Sequence, residues 1–212
     1  MRRLLAVAHG TRSAAGQAQI RDLAGRVARR LPEADLRLAY VDVQQPRVGD
    51  VIRETDAVVP LLLSAGYHVR VDIAQAAASA GATVAPPLGP DPLLADVLRR
   101  RIPRCDAVVL AAAGSSDPAW RADVEAVAAQ LGATVAYASG TERRVPDVVA
   151  GLRERGAERI AVAAYLLAEG LFYRSLHRAG ADHVTAPLGA DPALEDLVLA
   201  RYRDLTMAAG AL

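Results

Sequence analysis

His9, Asp42 and His68 are the residues best suited to hold a divalent metal, and each stands just after a short apolar run. LLAVA precedes His9, LRLAYV precedes Asp42, and AVVPLLLSAGY precedes His68. Two imidazoles and a carboxylate suit Fe, Co, Ni, Cu or Zn. With only three protein ligands the coordination sphere stays open, which serves exchange or catalysis rather than a structural site. Each residue also has an ordinary explanation. A histidine after a strand is often a loop residue or a satisfied polar group, and an aspartate commonly opens a turn or caps a helix. The metal reading rests on the coincidence of all three at strand ends within one half of the chain.

The second half supplies the comparison, because it repeats the first. LLAVAHGTRSAAG from Leu4 is echoed by VVLAAAGSSDPAW from Val108, PLLLSAGYHVR from Pro60 by AYLLAEGLFYR from Ala164, and PPLGPDPLLADVLRRR from Pro86 by APLGADPALEDLVLAR from Ala186. Gly10 matches Gly114 and Gly66 matches Gly170, both 104 residues apart, whereas Leu88 matches Leu188 at 100, a four-residue deletion in the second copy's third helix. At the three strand ends the second copy carries Ala113 for His9, Phe172 for His68 and Ser139 for Asp42. The last match aligns LAYVDVQQP with VAYASGTER across a shorter first helix. The metal-binding groups are therefore confined to the first copy.

The elements that must position these residues follow a βα rhythm. Strands are expected near Leu4–Ala8, Leu36–Val41, Ala57–Leu63, Thr83–Pro86, Ala107–Ala112, Thr134–Ala138, Arg159–Leu167 and His183–Ala186. Helices are expected at Ala14–Leu31, Arg47–Glu54, Val69–Ala80, Pro92–Arg101, Pro118–Gln130, Pro146–Arg155, Leu171–Ala179 and Pro192–Arg203. Short Val-, Leu- and Ala-rich runs alternating with charged helical segments read as parallel sheets covered by helices. The expected fold class is α/β: two similar lobes, each a roughly four-stranded parallel sheet flanked by helices in flavodoxin-like layers, related by internal duplication. The lobes are placed at 1–103 and 104–212, with the junction at Arg104–Asp106. Ligands of such sheets bind beyond the C-terminal strand ends, and two lobes suggest a cleft there.

Composition removes other classes. Apolar residues make up 52% and aromatics only 4%, which suits helices packed closely on sheets. The net charge of +1 supplies no field for nucleic acid or a membrane surface, and no basic-aromatic stripe suggests single-stranded nucleic acid. All 25 basic residues are Arg, so every cationic contact is a guanidinium, suited to carboxylate or phosphate. A single cysteine, Cys105, excludes an intrachain disulfide and fits a reducing cytoplasm. The five apolar residues between Arg3 and His9 are too few for a signal peptide, and no run approaches a membrane span. Phosphate-binding P-loop, Rossmann and G-x-S-x-G motifs are absent. Thr11 and Ser13, or Ser115 and Ser116, could bind an anion or simply cap a helix. His177 and His183 have no matching carboxylate and read as structural or surface residues.

AVAHGTRS at the first strand end, GYHVRVDI at Gly66–Ile73 and PLGPDPLL at the fourth strand together resemble the class II chelatases of the CbiX/SirB type, the sirohydrochlorin cobaltochelatases and ferrochelatases. The likeness covers nearly the whole chain, since the long form of that family is itself two fused copies with a cleft between them. It implies ATP-independent insertion of a divalent metal into a tetrapyrrole, with His9 and His68 as the active-site histidines and metal ligands. The family's acidic residue after the second strand, usually Glu, maps onto Asp42, which keeps the charge and shortens the reach. The implied partners are sirohydrochlorin and a metal that is substrate rather than resident cofactor: Fe2+, slightly favoured and giving siroheme, or Co2+, with Ni2+ as a further metal in vitro. The acetate and propionate arms of the macrocycle make Arg12, Arg70 and Arg174 candidate clamps, with Thr11 and Ser64 as further substrate-binding residues. Asp72, four residues beyond His68, would either fix an imidazole tautomer or act as a first-turn Asp at a helix N-terminus. The alternatives are a cobaltochelatase of cobalamin synthesis, a non-catalytic metal or tetrapyrrole carrier, and a bilobal small-molecule binding module. Because one chain contains both copies, a monomer is the simplest expectation.

Overall fold

The eight apolar runs pair into two parallel four-stranded sheets of identical topology. The computed structural model describes residues 2–64 and 66–209, with the side chains of 67–70 and 208–209 outside the described part. The first copy runs β1 (Arg2–Ala8), α1 (Ala14–Arg30), β2 (Ala34–Tyr40), α2 (Val48–Val51) continuing as a 3-10 turn (Ile52–Glu54), β3 (Ala57–Pro60), α3 (Tyr67–Ala80), β4 (Thr83–Val84) and α4 (Pro92–Arg101). The second runs β5 (Ala107–Ala112), α5 (Pro118–Leu131), β6 (Thr134–Tyr137), α6 (Val145–Glu154), β7 (Ile160–Ala164), α7 (Leu171–Leu176), β8 (His183–Val184), a 3-10 turn (Leu188–Ala190) and α8 (Pro192–Ala209). The sheet orders are β2-β1-β3-β4 and β6-β5-β7-β8.

Central strands buried on both faces read as continuous apolar runs, and Leu4–Ala8 of β1 are all buried. Leu5 and Val7, with Val58 of β3, pack under Val48, Ile52 and Ile73 of the α2–α3 side. The alternate residues Leu4, Ala6 and Ala8 are left for the face that α1 and α8 cover. Several boundaries differ from the sequence expectation. α2 starts at Val48 because Arg47 is its N-cap in extended conformation, and after one turn it tightens to 3-10. α7 stops at Leu176 rather than Ala179, and β3 ends at Pro60 rather than Leu63. α3 begins at Tyr67, so His68 lies in the first helical turn and not in the preceding loop. Among the described residues no helix is long and apolar enough to cross a membrane.

The compact units do not coincide with the two copies at 1–103 and 104–212. One unit comprises Met1–Gly89 with Pro192–Leu212, the other Pro90–Asp191. Each unit therefore takes its fourth helix from the other copy: α8 packs beside α1 and on β3, and α4 beside α5 and on β7. The exchange has a sequence basis. Both fourth helices bury the same kind of face, Leu94, Ala95, Val97 and Leu98 in one, Leu194, Leu197, Val198 and Leu199 in the other, so either can fill the groove beside a first helix.

Arginines hold the exchanged helices in place. In the first unit Arg26 Nη1 meets Glu195 Oε1 at 2.6 Å with side chains only 16% and 12% exposed, and Arg30 reaches Asp196 at 2.8 Å. Arg201 of α8 donates to the carbonyls of Pro87 and Leu88 at 3.1 and 3.2 Å. In the second unit its counterpart Arg101 donates to the carbonyls of Ala186 and Pro187 at 3.0 and 2.9 Å, and to Asp191 Oδ2 at 2.8 Å. These guanidiniums satisfy carbonyls on the loop before each fourth helix, where no strand partner exists. Arg101→Ala and Arg201→Ala should each cost about 2 kcal/mol in urea unfolding, the value of charge-assisted bonds lost from a part-buried site. Arg29→Ala, on an exposed stretch of α1, should stay within about 0.5 kcal/mol of wild type. Equal losses at all three positions would show that the carbonyl contacts contribute nothing specific.

Candidate functional site

In a sheet ordered β2-β1-β3-β4 the chain reverses direction of winding between β1 and β3, and crevices at such switch points open beyond the C-terminal strand ends. His9 follows β1 directly. The parallel ladder continues past the sheet for two more bonds, Val41 N–H to Ala8 C=O and Asp42 N–H to His9 C=O, both 2.9 Å. His9 and Asp42 are thereby backbone neighbours on adjacent strands. Their approach depends on Gly10, which adopts φ +100 and whose missing Cβ would sit 2.0 Å from the Asp42 carbonyl oxygen. Any other residue there meets both a left-handed backbone and a hard clash.

Asp42 is held from its own loop. Its Oδ1 accepts the Val43 N–H at 2.7 Å and Arg47 Nη1 at 2.9 Å. The Val43 N–H, then the Arg47 guanidinium, hold the carboxyl below the ordinary aspartate range, and the nearby His9 adds to the effect. Asp42 is thus ionised throughout the neutral range. Its carbonyl accepts Gln44 N–H at 2.8 Å across Val43, whose φ of 69 makes this a γ-turn of the rare, strained kind. Gln44 then crosses to the histidine loop, its Oε1 accepting Thr11 N–H at 2.8 Å, while Gln17 Nε2 of α1 donates to Thr11 C=O at 2.9 Å. Two glutamine amides therefore tie the loop carrying His9, Thr11 and Arg12 to its neighbours.

The other expected residues distribute as follows. Thr11 Oγ1 accepts Ser13 N–H at 3.1 Å, and Ser13 is the N-cap of α1, accepting Gly16 N–H. Arg12 is exposed in the loop between them, and Ser64 is half-buried beyond β3. The side chains of His68 and Arg70 lie outside the described residues, and only their backbone places in the first turn of α3 are given. Asp72 is exposed and stands one turn after position 68 on the same side of α3. As the sixth residue of that helix it is beyond the first turn, which removes the helix-terminus explanation for it. Arg174 is exposed on α7 of the second unit. Among the described residues no three His, Cys, Asp or Glu side chains form a metal-holding group, so the described part of the site is the His9–Asp42 pair.

The second copy keeps the frame and omits the chemistry. Ala138 N–H bonds Ala112 C=O at 2.9 Å and Ser139 N–H bonds Ala113 C=O at 3.0 Å, which establishes that Ser139 is the counterpart of Asp42 and Ala113 that of His9. Gly114 has φ +109, and Ser139 Oγ donates to the Ala113 carbonyl at 2.7 Å. Arg121 Nε donates to Ser115 C=O at 2.8 Å, taking the place of Gln17 on Thr11. Phe172, in the position of His68, is exposed beside Leu171. Gln17, Gln44 and Arg47 escaped the sequence reading; the signal that could have found Gln17 was its alignment with Arg121, two long polar donors at one repeat position.

The CbiX family model matches the chain twice, over residues 3–105 and 107–205. Among solved structures the chain is similar to SirB from Bacillus subtilis with Fe3+, at 21% identity over 96% of this chain and 95% of that chain, with a TM-score of 0.77. It is also similar to the sirohydrochlorin chelatase SirB from Bacillus subtilis subspecies spizizenii in complex with cobalt, at 21% identity, 96% and 95% coverage and a TM-score of 0.73. A third similar structure is CbiX, the terminal enzyme for biosynthesis of siroheme in denitrifying bacteria, at 21% identity, 96% and 99% coverage and a TM-score of 0.71. These likenesses bear out the two-lobed parallel α/β fold. No curated protein sequence matches the chain.

Gly10→Ala should displace the His9 loop from Asp42 and destabilise the protein by about 3 kcal/mol or more. Gly49→Ala, where an added Cβ meets nothing within 4 Å, is the matched control and should be near neutral. Thermal unfolding of both variants checks this, and a Gly10→Ala protein as stable as the control would refute the close-approach argument.

Proposed function

The chain belongs to the CbiX family, matched over both of its halves, and on that footing we propose that it is a sirohydrochlorin chelatase, inserting a divalent metal into the tetrapyrrole without ATP. The observation that supports this best is internal. One copy carries an imidazole and an ionised carboxylate on backbone-paired residues just beyond β1 and β2, and the other, on the same backbone, carries Ala113 and Ser139.

The reaction exchanges M2+ for two pyrrolic protons, so the site must hold the ion briefly and accept protons near neutral pH. Histidine does both within the physiological range. His9 and His68, with Asp42, hold the metal beside the ring, and one imidazole takes up the two pyrrolic protons in turn as the metal leaves, passing the first to water before it accepts the second. Three ligands suffice, because a closed four-ligand site would trap the ion. Asp42, charged at neutral pH, offsets the positive charge of the ion and of any imidazolium. Asp72, one turn from His68 along α3, is assigned to orient that imidazole. Arg12, Arg70 and Arg174, with Thr11 and Ser64, are assigned to the carboxylate arms of the substrate. Iron is favoured over cobalt as the metal, with siroheme the product; His and Asp ligands accept either, and supply decides. With both copies in one chain, the protein is proposed to act as a monomer.

Anaerobic spectrophotometry of sirohydrochlorin with Fe2+, and separately Co2+, at substoichiometric protein tests this reading. Wild type should accelerate metallation through many turnovers. His9→Ala should lower the rate by about 100-fold or more, as expected when a proton acceptor and ligand is removed, while tetrapyrrole binding persists. A single turnover per chain would indicate a carrier, and no acceleration with either metal would overturn the enzyme reading.

A further inference from the structure

The strongest unassigned interaction near the site is the Arg47–Asp42 ion pair. Arg47 is firmly rooted. Its N–H is accepted by Gln45 Oε1 at 3.0 Å and Asp50 Oδ2 at 3.1 Å, and Arg47 pairs with Tyr40 in an isolated parallel bridge. From that root Nη1 reaches back to two acceptors, Val41 C=O at 3.0 Å and Asp42 Oδ1 at 2.9 Å. The guanidinium is thus anchored on a neutral carbonyl independently of the carboxylate, and it keeps its place when Asp42 turns to another partner.

The second copy separates the two bonds. Arg144 occupies the same position, bridged to Tyr137 and N-capping α6, and its Nη1 donates to Gly140 C=O at 3.2 Å. The residue in the place of Asp42 is Ser139, whose hydroxyl donates to Ala113 C=O instead. Bracing the loop is therefore common to both copies. Pairing with a carboxylate occurs only in the copy that also carries the imidazole.

We infer that Arg47 is a positioning residue that competes with the substrate metal for Asp42 and so keeps that metal loosely held. The inference rests on the metallation reading above. A divalent ion bound by Asp42 shares the carboxylate with a fixed cation a few ångströms away, and the short aspartate stem gives it little room to swing clear. Both side chains are well exposed, 43% and 60%, so solvent screens the repulsion. Two positive charges and one positive charge some 5 Å apart in a water-like dielectric still shift binding roughly tenfold. A metal that must pass to a ring gains from such weakening, because the ion is delivered rather than retained.

The test is Co2+ binding by visible absorption and calorimetry without tetrapyrrole, in low and high salt, for wild type, Arg47→Gln and Arg47→Lys. Glutamine removes the charge and keeps a neutral polar side chain; lysine keeps the charge. Arg47→Gln should bind Co2+ about five- to tenfold tighter at low salt, with the gap narrowing in high salt, and should transfer bound metal to sirohydrochlorin more slowly. Arg47→Lys should stay close to wild type. A purely structural role predicts weaker binding in Arg47→Gln, and equal or weaker binding there overturns the inference. Should Arg47→Gln fail to fold, Arg47→Met, neutral and unbranched, carries the same expectation of tighter binding; no tightening there is equally fatal. A wild type that neither binds nor inserts Co2+ or Fe2+ overturns the functional reading and the inference with it. A functional wild type with untightened variants overturns the inference alone.

Discussion

Gly10 lies where the loop after β1 and the loop after β2 touch, and a single methyl there would collide with the Asp42 carbonyl. The Val41 bond continues the β1–β2 ladder by one step and the Asp42 bond then closes the two loops on each other, so that the backbones of His9 and Asp42 are tied together just beyond the sheet. Register in a parallel pair with both faces buried is strongly specified, since a slip would turn Leu5 and Val7 away from their helices. The backbone positions of residues 9 and 42 thus follow from strand pairing that core packing holds in place. The local strain at Val43 is tolerated because the turn it forms delivers N–H groups to the Asp42 carboxylate and carbonyl.

Duplication lets one frame serve two purposes. Gly114, with the same left-handed conformation as Gly10, preserves the loop contact in the second copy, but Ala113 and Ser139 place no charge beside it. On the proposed function, the second frame carries no ligands to compete with the first. The two copies are also bound together in folding, because each unit is completed by the fourth helix of the other. Glu195, nearly buried on α8, is neutralised by Arg26 and Arg30 of α1 in the first copy, so a chain lacking either end would leave a charge or an apolar groove uncovered.

Much of this was legible in the sequence because it depends on periodicity and repetition. The βα alternation gave eight strands and eight helices, and the offset of 104 residues aligned His9 with Ala113 before any contact was known. Partner choice was not legible. α4 and α8 carry nearly interchangeable apolar faces, and which groove each fills is decided by tertiary contacts such as Arg201 on Pro87, not by local pattern. The start of α3 was placed two residues late because the Ser64–Gly66 stretch reads as loop and Tyr67 and His68 are only average helix formers. Gln17, Gln44 and Arg47 are not legible for a different reason: the glutamines act on backbone atoms of Thr11, Arg47 acts on the Val41 carbonyl and the Asp42 carboxylate, and single polar side chains give no pattern from which such partners can be read.

What distinguishes a site for a substrate metal from one for a structural metal is how completely its ligands are committed. A structural site encloses the ion with four protein donors and supports each from behind. Here His9 and Asp42 are exposed just beyond the ends of β1 and β2, and Asp42 Oδ1 accepts from a backbone N–H and a guanidinium, either of which a metal on that oxygen would have to displace or tolerate. Firm positioning of the backbone and weak commitment of the donor atoms are separable properties. The sheet register and Gly10 supply the first. On the proposed function, the exposure of both side chains and the guanidinium of Arg47 supply the second, as an ion surrendered to a macrocycle requires.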